Sequence, residues 1–503
     1  MEFLSQTGAS TASDAVIAVF LVLLTAVSAV LMIIYICRFV SDTESDRVRP
    51  WVFAIIFGAG LALRLVFALC VRGYRDDYSL FTRAIEQLGK SGLGGYYVGE
   101  SENVLYPIVY LVYLLFGGFA NVTGLSSYGM GMQFFVKLPI IIAELLTAFA
   151  VYLIAGKYFN RRVAAVLCAF VCACPIFFIG SIWTSPIVFT AMFAAFAFFF
   201  LAKKNHAAAI GFFTAASFSS KEGIFLFPVA CLFGIYQLVR AIINLRKSPP
   251  SVSGKKITHE DYRAVIAVPV GFVGSVVAAY LLGLPLVAPH SYSFFGYIYE
   301  FLIAPLVGWA YFTVNGLSVY SIFDQSGVAP GARFPYPVFA LVFAAIIIAV
   351  VCVVYFTKRN RATLVMLGAY SVFTMLVYYP GMNAAGFASC LPLIVASYAL
   401  VRDKRLLNVL FVAGLAYVIN AVTLLSGFGY LNNFDDYAFG SEPVAATGAI
   451  KAVSIACAVL TVLSHLYFTY VTVVVGMTGQ KRQLDAAAGF VPSMKEYFSG
   501  KKD

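Results

Sequence analysis

Charge is scarce in this chain. Only 11% of its residues are Asp, Glu, Lys or Arg, against about 25% in a soluble domain. That leaves too little polar surface for a water-soluble fold. Histidine is scarcer still. With four in the chain, and none of the nine cysteines at metal-site spacing from one, a dedicated transition-metal cage is not expected. A glycine-rich phosphate loop and a separate soluble domain are also missing, which disfavours a nucleotide-binding module. The opening residues, "MEFLSQTGASTASD", carry no basic flank of the signal-peptide kind. The apolar run from about Asp14 to Cys37 is therefore expected to remain as an anchor.

What is abundant is apolar: 61% of the 503 residues. Runs near 20 residues recur along the whole length, as membrane-crossing helices require. A β-barrel would show short alternating strands instead. The expected fold is all-α and polytopic, with about 13 transmembrane helices near 14–37, 51–71, 132–155, 163–180, 184–202, 206–220, 222–246, 262–285, 335–356, 362–379, 384–401, 406–425 and 448–474.

The net charge of +11 does not imply nucleic acid. Lys and Arg gather between apolar segments, at Arg38, Arg47 and Arg49, Lys157, Arg161 and Arg162, Lys203 and Lys204, Arg246 and Lys247, Lys358 and Arg359, Arg402, Lys404 and Arg405, Lys481 and Arg482. Such clusters mark cytoplasmic loops. Their parity puts the N-terminus outside, the C-terminus inside and residues 72–131 outside. The expected organisation is an anchor helix and cytoplasmic loop over 1–50, a transmembrane module over 51–285, a long outer aromatic loop over 286–334, a second module over 335–476 and a cytoplasmic tail over 477–503. The chemically varied polar groups then share the outer face.

The first outer loop opens "RGYRDDYSLFTRAIEQLGKSGLGGYY". Asp77, Phe81, Ala84, Ile85 and Leu88 share one helical face; Ser79, Arg83, Glu86 and Lys90 share the other. An amphipathic helix at the interface follows, ended by "GKSGLGG". An acid at such a start caps the helix and suits its dipole, a structural role that does not exclude a chemical one. The run Tyr106–Phe119 is short for a crossing and is expected to lie at the outer face. Lys137 and Glu144 stand two turns apart on one helix, and a structural bridge to neighbouring helices is expected.

Taken in order, these pieces resemble the GT-C superfamily of integral-membrane glycosyltransferases. The resemblance covers roughly residues 51–425 and is nearest the branch of GPI mannosyltransferase II-like proteins and dolichyl-phosphate-glucose-dependent glucosyltransferases. It is carried by "DYSLFTRAIEQLGKSGLGGYY", "LYPIVYLVYLLFG", "VKLPIIIAELLTAFAVYLIAGKY", "SFSSKEGIFLFPVACLFGIY" and "YFTVNGLSVYSIF". Two motifs depart from the family. "IWTSPIV" keeps Trp183 but has Thr184, Ser185 and Pro186 in place of Gly-Gln-x-Asp, and "GMNAAGF" has Asn383 and Ala384 where His-Glu is expected.

The resemblance implies transfer of a hexose, mannose or glucose, from a polyprenyl-phosphate carrier to a glycolipid, polymer or protein acceptor. It assigns the general base to Asp77, with Asp76 as alternate. Lys221 would face the leaving phosphate, with Glu222, Arg75, Trp183, Asn315, Tyr106 and Asn383 as further substrate-binding residues. No cofactor is identified, and a divalent cation is left open. The expected setting is a bacterial plasma membrane or endoplasmic reticulum, amid membrane lipids, with the active face outer or lumenal and no nucleic-acid partner. Two other readings stand beside it: a catalytically altered GT-C-fold lipid-binding or scaffold subunit, which the two departures favour, and a secondary transporter, against which the chain shows no internal repeat.

Overall fold

A computed structural model describes residues 12–40, 48–93, 105–125, 129–247, 259–287, 292–307, 311–328, 336–358, 361–427, 446 and 448–482. The chain is an all-α polytopic membrane protein, and nine of its described helices are long and apolar enough to cross a membrane. Helix α1 (Ala12–Phe39) and helix α2 (Pro50–Cys70) come first, then α3 (Arg75–Ser91) and α4 (Pro107–Val122), which pack together at one end of the bundle. Helix α5 (Met130–Tyr158) runs the full depth. Helices α6 (Arg161–Ala173) and α7 (Pro175–Trp183) form one crossing, interrupted where Pro175 denies the helix a backbone donor.

Next come α8 (Val188–Ala202) and α9 (His206–Ser217), then a 3₁₀ turn at Glu222–Phe225 leading into α10 (Leu226–Lys247), and α11 (His259–Val287). The aromatic stretch is not a plain loop. It folds into α12 (Phe294–Ile298), a π turn at Tyr299–Ile303, α13 (Ala304–Val307), β1 (Thr313–Val314) and α14 (Val319–Ile322). The chain ends with α15 (Tyr336–Lys358), α16 (Arg361–Tyr378), β2 (Met382–Asn383), α17 (Phe387–Val401), α18 (Arg405–Gly427) and α19 (Gly448–Val473).

Every one of the thirteen expected segments is helical, but the α8–α9 hairpin is short, 15 and 12 residues. Helix α17 is buried throughout and forms the axis of the bundle. The outer helices instead expose large apolar side chains, Val16 and Phe20 on α1 and Ile266, Val270 and Val273 on α11. Lipid tails solvate such groups as well as a protein core does.

The basic clusters converge on one end. Lys157 donates to the Ala202 carbonyl, the Asn160 amide to Phe39, and the Lys404 backbone to Arg482. Arg402 stacks over Phe159, and Asp403 chelates Arg405 while accepting from the Arg482 N–H. Helices α3 and α4 lie at the opposite end.

Two details differ from expectation. The N-cap of α3 is Tyr74, without a side-chain cap bond, so Asp76 and Asp77 occupy its first turn rather than its cap. Ser79 is buried with Tyr78, Phe81 and Thr82, because the helix packs on α4 and α5 over more than one stripe. Lys137 and Glu144 bridge to neighbouring helices as expected, each reaching both α2 and α7. Gly92 ends α3 at φ 73°, a conformation that favours glycine.

Candidate functional site

Two chain segments meet above the ends of α2 and α7. The Tyr74 N–H donates to the Trp183 carbonyl at 2.9 Å, and the Thr184 hydroxyl to the Arg72 carbonyl at 3.3 Å. The rings of Tyr74 and Trp183 stack at 4.7 Å. Gly73 sits at φ 105°, and a Cβ there would come 2.3 Å from the Thr184 hydroxyl and 2.8 Å from the Ile182 carbonyl, so only glycine fits. Beneath the crossing, the fully buried Lys137 ammonium donates to the Val71 carbonyl and, at 3.2 Å, to that of Ile182. The Gln133 amide donates to Ala68 and Val71. Asp77 follows three residues after Tyr74, half-buried in the first turn of α3. The side chains of Arg75 and Asp76 lie outside the described residues.

Below this junction Glu144 accepts from Arg64 at 2.7 Å and from the backbone and hydroxyl of Ser181 at 2.8 and 2.9 Å. Arg64 spends its remaining donors on carbonyls of Gly60, Val171 and Cys172. It was missed in the sequence, although it is the lone charge in the apolar run of α2, which is itself a signal.

The second part of the site starts where α9 ends. The Thr190 hydroxyl lies 2.7 Å from both the Ser219 and Ser220 hydroxyls. Lys221 follows, its ammonium donating to the Gly381 carbonyl. Surrounding protein holds the Lys221 pKa down at about 8, despite the opposing pull of Glu222. Glu222 is buried against Gly386, where an added Cβ would lie 3.5 Å from its carboxylate. Tyr106, at the start of α4, is raised in pKa by burial and then by the charge of Glu222, which lies within electrostatic reach.

Strands β1 and β2 pair in parallel over this floor, with Thr313 opposite Met382. Asn383 caps the turn before α17 by accepting from the Gly386 N–H at 3.2 Å. Asn315, left-handed at φ 49°, accepts from the Ala446 N–H through its side chain and from Asn420 through its backbone. Its side chain is thus engaged in closing the fold.

The two parts adjoin through α8 and α17. The Tyr113 ring packs on Phe81 of α3 and Phe189 of α8, one residue before Thr190. Phe387 packs on Tyr417, which lies within electrostatic reach of Asp77 and Glu144. The fold therefore brings Asp77, Trp183, Lys221, Glu222, Tyr106 and Asn383 to one end, away from the basic clusters.

That end is stepped. From Lys157 to Lys137 is twenty residues of α5, about 30 Å of rise. From Ala202 to Thr190 is twelve residues of α8, about 18 Å. With Lys157 bonded to Ala202 at the base, the hydroxyl cluster and Lys221 lie on the order of 10 Å deeper than the Lys137 junction. Among the described residues, no group of three or more His, Cys, Asp and Glu could hold a metal.

Residues 119–253 match the family model of dolichyl-phosphate-mannose-protein mannosyltransferases. The matched stretch contains Lys137, Glu144, Trp183, Lys221 and Glu222. No curated protein matches the chain.

Proposed function

We propose that this chain is a GT-C-type glycosyltransferase. It moves a hexose from a polyprenyl-phosphate carrier to an acceptor at the membrane face opposite its basic loops, outer or lumenal by the positive-inside rule. The observation that carries the reading is a coincidence of two kinds of evidence. The mannosyltransferase family match covers α5 to α10, and Lys221 and Glu222 inside that match lie towards the same end of the bundle as Asp77 outside it, which supports the reading. The matched family is named for a dolichyl-phosphate-mannose donor, which supports a polyprenyl-phosphate sugar as the donor here.

In this mechanism the acceptor hydroxyl attacks the anomeric carbon and the C–O bond to phosphate breaks. Asp77 takes the hydroxyl proton as general base. The phosphate leaves as a stable anion, so it needs a cation rather than a proton. Lys221 supplies it at close range in a low-dielectric recess. Glu222 keeps Lys221 charged, and the Trp183 and Tyr106 rings shape the walls. Mannose is favoured by the family match, and a glycolipid, polymer or protein would serve as acceptor. The branch resembled in the sequence and the matched protein mannosyltransferase family differ in acceptor and share the polyprenyl-phosphate donor.

The altered-subunit reading has one specific observation behind it: the Thr184 hydroxyl, in the motif that departs from the family, is spent on the Arg72 carbonyl. One experiment separates the two. Purified protein in lipid, given polyprenyl-phosphate mannose and glucose with candidate acceptors, should transfer sugar. Asp77→Asn should lower turnover by about 10²–10⁴-fold with donor binding nearly intact. Lipid binding without transfer by the unaltered protein would favour the subunit reading. Full activity in Asp77→Asn, Asp76→Asn and the double variant would reject the carboxylate mechanism.

A further inference from the structure

Lys137 poses a problem that the transfer chemistry does not solve. It is a fully buried ammonium within a membrane-crossing helix, where an unpaired charge is costly. The nearest acid along its own helix, Glu144, is occupied by Arg64 and Ser181. Lys137 is held instead by carbonyls, those of Val71 and Ile182. Val71 is the C-cap of α2, and Ile182 lies in the last turn of α7. Both helices end here, and helix C-termini leave carbonyls unsatisfied and carry partial negative charge. The ammonium sits between two such ends.

We propose that Lys137 is the positioning residue of the site. By tying together the C-termini of α2 and α7, it fixes the 71–74 and 182–184 segments against each other. That sets the direction in which α3 leaves the bundle, and with it the place of Asp77. The proposal rests on the transferase reading for its catalytic consequence, but not for its structural content. The crossing is tight enough to transmit position: Gly73 has no room for a Cβ, Tyr74 is bonded to and stacked on Trp183, and Asp77 lies within one helical turn of Tyr74. Gln133 holds Ala68 and Val71 independently, so loss of Lys137 should loosen the crossing without unfolding the protein. Lys157, on the same helix, makes the same kind of bond to the Ala202 carbonyl near the end of α8 at the far end of the bundle. It is the matched control.

Trp183 reports the junction directly, since it is buried there and only two other tryptophans exist, Trp51 and Trp309. In a Trp51→Phe, Trp309→Phe background, Lys137→Met should raise acrylamide quenching of Trp183 severalfold. In the native background it should lower kcat at least tenfold while donor binding changes less than threefold. Lys137→Arg should restore part of both, and Lys157→Met should leave both unchanged. Unchanged quenching in Lys137→Met would overturn the proposal. So would increased quenching with full turnover, because the junction would then not place Asp77. A parallel loss from Lys157→Met would overturn it as well, by showing a general structural effect. If the unaltered protein transfers no sugar, the transferase reading falls, and the quenching result still decides whether Lys137 holds the junction.

Discussion

At the scale of single residues, Lys221 carries the clearest pH signature. Its pKa is about 8 in the fold against 10.5 ordinarily. A phosphate binds the protonated form, so donor affinity should fall as pH rises through about 8, well below the value for a free lysine. Equilibrium binding of a polyprenyl-phosphate donor from pH 6.5 to 9.5 would show this, and a flat profile would remove Lys221 from the phosphate. Lys221→Arg should keep affinity flat across that range, because a guanidinium stays charged. The stability sign is opposite. Between about 8 and 10.5 the unfolded chain binds the extra proton, so this group makes the fold more stable as pH rises across that window. Asn315 shows the other side of residue-level reading. Its amide suits a sugar hydroxyl, yet the fold uses it to hold Ala446 and Ser326.

At the scale of elements, the α2–α5–α7 contact depends on Arg64 and Glu144. Both are buried, and they bond to each other, to the ends of α6 and α7 and to the preceding turn of α2. Removing one partner of such a pair costs about 3–5 kcal/mol, because the other is left charged and unpaired. Arg64→Met or Glu144→Leu alone should therefore lower the thermal midpoint in detergent sharply, and the double variant should recover most of the loss. Additive losses in the double variant would mean that the two charges do not act as a pair. Helix α3 is a different case: its exposed Lys90–Glu86 pair, at 3.7 Å, adds little, and its place depends on apolar packing against α4 and on the junction at Trp183.

At the scale of the whole molecule, the two ends of the bundle differ in chemistry. One collects Lys157, Arg161, Arg402, Lys404 and Arg482 around backbone carbonyls. The other carries Asp77, Glu222 and the exposed Asp324–Lys451 pair. With cysteines introduced one at a time into a background lacking reactive thiols, Lys90→Cys should label from outside intact cells. Lys404→Cys should label only after permeabilisation. The reverse order would invert the proposed active face. The short α8–α9 hairpin is what turns that end into a recess, because twelve to fifteen residues rise about 18–22 Å and a hydrocarbon core is about 30 Å thick.

The sequence by itself determined the class of the protein and the positions of its helices. Apolar run length is a local property, and all thirteen runs are helical. It also determined the amphipathic α3, its glycine stop, and a helix from Pro107, because periodicity and cap chemistry are written within a few residues. Tertiary structure decided what each charge meets. Spacing put Lys137 and Glu144 on one side of α5. Only packing sent the first to the ends of α2 and α7 and the second to Arg64, 80 residues earlier. It also decided that Thr184 and Gly73 interlock, that the 3₁₀ turn at Glu222 adjoins Tyr106 and Gly386, and that the aromatic stretch after α11 folds into helices and a strand. These contacts join segments up to about 160 residues apart, and no local pattern encodes a partner. The physical cause is the low dielectric of the bundle. It makes every buried charge seek the nearest carbonyl or counter-charge, and the three-dimensional arrangement of helix ends fixes which one that is.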